Sequence, residues 1–162
     1  MDTSAALATT QYRLVQSARG VLLDYCATLA PAHFTAPVEA FRGSSIRDLL
    51  VHTAGCYQVW LGRVALGRPT TTPLPADVPD TAALRQLFGA ADALVAEFIS
   101  QFEGQWLVDR EFRGHRQAEL LTLTPWQIFT HILTHEFHHK GQVLTMSRLL
   151  GYEPVDTDII RT

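Results

Sequence analysis

Cysteine is scarce in this chain: 2 among 162 residues, and Cys26 and Cys56 form no CxxC pair of the kind that grips a metal. Both fall in apolar helical segments, where cysteine behaves as a small buried hydrophobe. A disulfide is not expected of a chain that reads as cytoplasmic. Basic charge is short as well. Lys and Arg number 13 against 16 Asp and Glu, a formal charge of −3. This gives no electrostatic reason to expect nucleic-acid binding, which needs a basic face. The densest basic cluster, Arg110, Arg113 and Arg116, is interrupted by acidic residues. No apolar run approaches the roughly 20 residues of a membrane span. The Met1-Asp2-Thr3-Ser4 start has neither the basic nor the apolar stretch of a signal peptide. What remains is a globular profile, 47% hydrophobic and 18% charged. A chain of this length fits one domain over 1–162 with a core that needs no covalent staples.

Apolar residues at three- and four-residue steps predict four long helices. The first runs from about Ala5 to Leu29, on a stripe of Leu14, Val15, Ala18, Leu22, Tyr25 and Leu29. The second runs from about Ser45 to Leu66 and opens on Ser45-Ile46-Arg47-Asp48, a capping box with Asp in place of Glu. A proline-rich loop from Arg68-Pro69 to Pro79 follows, too stiff and polar for helix. The third helix runs from about Thr81 to Phe102. The stretches from Leu107 to Gly114 and from Ala118 to Leu123 suit a small hairpin. The fourth helix starts at Thr124-Pro125, a cap followed by a first-turn proline, and Gly151 is placed to end it. Four such helices predict an all-α four-helix bundle, with loops long enough for crossover connections.

The fourth helix carries Thr134-His135-Glu136-Phe137-His138-His139-Lys140-Gly141-Gln142. His135 and His139 are four apart, so both project from one face, one turn above the other. Two imidazoles in that geometry can share a metal ion. His52 lies on the second helix among Leu49, Leu50 and Ala54, and a bundle can bring facing helices' side chains together. Three neutral imidazoles with one open position suit Zn, Ni or Fe. The rival reading of His52 is a hydrogen-bonded core histidine. His131, one turn before His135, stays open as a fourth ligand, a hydrogen-bond partner of a ligand, or a packed residue. His138 is one step off the ligand face. His33 and His115 read as surface residues. Trp60, Trp106 and Trp126 can line a pocket, but core or interface packing is the expected use. His135-Glu136-Phe137-His138-His139 also satisfies H-E-x-x-H, in which the glutamate is the base of a zinc peptidase. No third ligand with its own helical signal follows it, and no strands for a substrate-binding sheet are apparent.

The segment from His135 to Gln142 resembles the H-x-x-H-H-R/K-G-Q signature of the DinB/YfiT-like superfamily. Ser45-Ile46-Arg47-Asp48-Leu49-Leu50-Val51-His52 is similar to that superfamily's second helix, where a histidine follows an apolar pair. The resemblance implies an up-down-down-up bundle and a divalent metal on His52, His135 and His139. It leaves out His138 and places Lys140 where arginine is commoner. It implies that Gly141 permits close helix approach and that Gln142 holds a neighbour by hydrogen bonds. Relatives include thiol S-transferases and a thiol-dependent isomerase. The expected activity is therefore metal-assisted activation of a thiol or water, for S-transfer or hydrolysis of a small-molecule substrate. A low-molecular-weight thiol is the expected co-substrate, and Glu136 or His131 the expected proton carrier. The alternative is a metal-binding stress-response bundle without turnover, acting as a homodimer.

Overall fold

The computed structural model describes residues 3–114 and 119–161. His115 and Arg116 lie outside the described residues. The helices are α1 (Thr3–Ala27), a short α2 (Pro31–Phe34), α3 (Ile46–Tyr57), α4 (Thr81–Gln101) and α5 (Pro125–Leu149). A two-stranded antiparallel hairpin, β1 (Arg110–Arg113) and β2 (Leu120–Leu123), precedes α5 and pairs Phe112 with Leu121.

Local chemistry sets the helix ends. Ser45 caps α3 by accepting from the Asp48 N–H, while the Asp48 carboxylate accepts from the Ser45 N–H. Thr124 and Gln127 make the same reciprocal pair at α5, with Pro125 in the first turn. Gly151, at φ +89°, ends α5 with a Schellman turn, in which Tyr152 N–H donates to Ser147 and Gly151 N–H to Arg148. Two expectations shift. The α1 stripe lies on Val15, Ala18, Leu22 and Tyr25, but Leu14 is 44% exposed. The second helix does not stay α-helical to Leu66: Gln58–Ala65 continues α3 as a π-helix, and Leu66 N–H donates to Leu61 at 2.9 Å. Such segments are rare and often sit at functional sites.

The core has two ends, and their membership gives the topology. At one end Tyr12 of α1 meets Tyr57 and Leu61, Val95 and Phe98 of α4, and Ile128 and Phe129 of α5. At the other, Leu22 and Cys26 of α1 meet Ile46 and Leu50 of α3, Leu84 and Phe88 of α4, and Val143 and Met146 of α5. Early α1 and early α5 thus share an end with late α3 and late α4. The bundle is up-down-down-up, with α3 packed against both α5 and α4. Full burial of a residue such as Phe98 or Phe129 contributes about 1.5–3 kcal/mol. No helix among the described residues is long and apolar enough to cross a membrane.

Candidate metal centre

The α3–α5 seam brings His52, His135 and His139 together, with their ligand atoms all within 4.8 Å of one another. Ring centroids are 5.1 Å apart for His52 and His135, 4.8 Å for His52 and His139, and 4.4 Å for His135 and His139. A tetrahedral site with bonds of about 2.0–2.1 Å needs nitrogens about 3.4 Å apart, within reach of small side-chain rotations. The donors fit a cation. His135 Nε2 is buried and has no hydrogen-bond partner. Leaving such an atom unsatisfied costs free energy unless something binds it. Burial, reinforced by the neighbouring imidazoles, pushes His135 down to about 4, so it is neutral and free to ligate. Burial also lowers His139, against the opposing pull of its Gln142 hydrogen bond.

Gln142 does what the family resemblance implied. Its Oε1 lies 2.7 Å from His139 Nδ1. An amide oxygen only accepts, so Nδ1 carries the proton and Nε2 keeps its lone pair for a metal. Gln142→Ala is expected to weaken metal binding about 10- to 100-fold with little change in melting temperature. Competition against a chelator measures the affinity, and an unchanged value would show that the bond does not orient the ring.

Gly141 is not a close-approach glycine: a Cβ there would meet nothing within 4 Å. The close approach to the proline-rich loop is at Gly62, while Gly55 is in ordinary contact with it. A Cβ at Gly62 would come to 2.5 Å of Thr70 Cγ2, and one at Gly55 to 3.5 Å of Pro73 Cδ. The bare position at Gly62 lets the proline-rich loop lie against the π-helical continuation of α3. The loop then walls a cleft of about 650 Å³ lined by His52, Cys56, Trp60, Pro73, His131 and His135, among others. Trp60 therefore belongs to the cleft rather than to core packing alone, its ring 4.8 Å from that of His131. Trp106 is buried between Phe98 and Phe129, as packing predicts, and Trp126 lies against it. Cys56 is buried beside His131, and burial, reinforced by the Glu136 carboxylate, pushes its thiol up to about 12. Cys26 is also a free, buried cysteine.

Glu136 faces elsewhere. Its Oε1 accepts from Arg19 Nε and its Oε2 from Arg19 Nη2, both at 2.9 Å, and the Tyr57 hydroxyl donates to Oε2 as well. Arg19 also reaches Asp92 at 2.7 Å and the Tyr12 hydroxyl at 3.0 Å. This buried network ties together α1, α3, α4 and α5. The carboxylate is occupied, so the proton-carrier role expected of Glu136, and the peptidase base of H-E-x-x-H, lose their free oxygen. A position one residue from His135 is turned about 100° around the helix, here into the bundle interior. Arg19 was not foreseen as part of this network; it lies on the buried face of α1 with Tyr12, Val15, Leu22 and Cys26, and a lone charge at three- and four-residue steps among them is the signal that could have found it. His33 pairs its Nδ1 with the Tyr152 hydroxyl at 2.8 Å. Lys140 is buried, donates to the Thr157 carbonyl at 2.6 Å and pairs with the Asp158 carboxylate at 3.7 Å, pinning the C-terminal tail.

The comparisons with known proteins agree with this architecture. The crystal structure of a DinB-like protein, YjoA, from Bacillus subtilis superposes with a TM-score of 0.60 at 17% identity, covering 89% of this chain and 96% of that one. At that identity the likeness speaks for the fold. No functionally curated protein matches the chain. The DinB family profile matches residues 1–162, end to end, and the chain belongs to the DinB family.

Proposed function

We propose that this protein is a metal-dependent enzyme that activates a thiol or water on a divalent cation held by His52, His135 and His139. The observation that carries the reading is the orphaned Nε2 of His135, in a ring of three imidazoles that opens onto a cleft. A cation bound there supplies Lewis acidity that lowers the pKa of a thiol or water at its open position. Zn, Ni and Fe all accept this ligand set. Val59, Trp60, Pro73 and Pro75 give the cleft an apolar wall, suited to the body of a small electrophile. A low-molecular-weight thiol is the co-substrate for S-transfer, and water for hydrolysis. His131 is the proton carrier. It lines the same cleft, and burial lowers its pKa, so it is neutral near pH 7 and able to accept a proton.

The open cleft favours this reading over a closed, non-catalytic metal site. Cobalt substitution separates them. The visible spectrum of the cobalt protein is expected to change on adding a small thiol or anion, because an exchangeable ligand completes an open site. A spectrum unmoved by saturating thiol would mean a fourth protein ligand, and would end the enzyme reading.

A further inference from the structure

The α3–α5 seam holds a second donor set. Cys56, His131 and His135 also bring their ligand atoms within 4.8 Å of one another. Cys56 Sγ lies 4.0 Å from His131 Nε2. The His131 and His135 rings stack at 5.6 Å, and the Trp60 ring packs against His131 at 4.8 Å. Cys56 is one turn beyond His52 on α3, and His131 is one turn before His135 on α5. Because the two helices are antiparallel, both steps run the same way along the seam. The second set is the first displaced by one helical turn, with a sulfur in place of one imidazole. All three of its residues line the cleft.

We propose that Cys56, His131 and His135 form a second metal site, selective for thiophilic cations of the cadmium or copper(I) type. Donor softness separates the two sets. Three imidazoles suit borderline divalent ions, whereas a thiolate with two imidazoles prefers soft ones. Binding forms one S–metal and two N–metal bonds and releases the thiol proton to solvent, with no change of oxidation state. His135 belongs to both sets, so a cation in one position competes with a cation in the other for its imidazole. The family's three-histidine site thus has a soft-metal neighbour that can displace its load.

Cadmium alone is the probe, because a cadmium–thiolate bond gives an ultraviolet charge-transfer band that imidazole ligation lacks. The wild-type protein is expected to show this band and to saturate at one cadmium per chain. A His52→Ala, His139→Ala double variant, which dismantles the three-histidine site, is expected to keep it. Cys56→Ser, nearly isosteric, is expected to abolish it. His131→Ala, at an exposed position, is expected to weaken cadmium binding at least about tenfold. Absence of the band in saturated wild-type protein overturns the proposal. So does a band that survives Cys56→Ser, which would report Cys26, or an affinity unchanged in His131→Ala, which would reduce the site to a lone thiol. Failure of the three-histidine reading looks different: zinc and cobalt would bind as tightly in the His52→Ala, His139→Ala variant as in the wild type while the cadmium band remained.

Discussion

Replacing Glu136 with alanine is expected to lower the melting temperature by about 6–20 °C while leaving the metal site intact. Arg19 and Glu136 have side chains only 4% and 8% exposed. Removing the carboxylate strands the Arg19 guanidinium in the interior with Asp92 as its remaining carboxylate partner. Breaking a buried pair from one side costs about 3–5 kcal/mol, chiefly the penalty of the abandoned charge. In a protein of this size each kcal/mol moves the melting temperature by about 2–4 °C. The double variant Arg19→Met, Glu136→Leu is expected to lose less than Glu136→Ala, because the charge it leaves unpaired is Asp92, 31% exposed and open to water, rather than a buried guanidinium. Thermal unfolding followed by circular dichroism, with cobalt stoichiometry measured below the transition, checks both halves. A wild-type melting temperature would mean the pair contributes nothing. Loss of cobalt from still-folded Glu136→Ala would return the glutamate to the metal site.

The second large effect comes from the metal itself. His52 stands on α3, and His135 and His139 on α5, so a shared cation crosslinks two helices in the folded state only. Zinc at a hundredfold excess over its Kd then adds about 2.7 kcal/mol by mass action. That corresponds to a rise of about 5–10 °C in melting temperature. The increment is expected to disappear with chelator and to be absent in His52→Ala. Coinciding curves with and without zinc would mean that no metal bridges the helices.

The sequence carried the bundle through signals that act locally. Ser45 with Asp48, and Thr124 with Pro125, mark helix starts because their side chains satisfy nearby N–H groups. Gly151 marks an end because it adopts a left-handed backbone. The three histidines were legible for a similar reason: His135 and His139 share a face by spacing alone. Their meeting with His52 needed the tertiary arrangement, which family resemblance supplied. The π-helical stretch Gln58–Ala65 was not legible, since its apolar spacing over a few residues matches an α-helix. Nor was the fate of Glu136. The H-E-x-x-H pattern weights the residue toward the metal, but its carboxylate is claimed by Arg19, a residue 117 positions away in sequence. Cys56 read as a plain hydrophobe because burial was foreseeable and its neighbour His131, on another helix, was not.

The central claim is the inter-helix three-histidine centre. Its most direct test is the metal content of tag-free protein reconstituted with zinc, nickel or iron, measured alongside His52→Ala and His139→Ala. The expected result is about one metal per chain in the wild type, lost in both variants while their helical content is kept. No retained metal in the wild type, or full retention in His52→Ala, would contradict it.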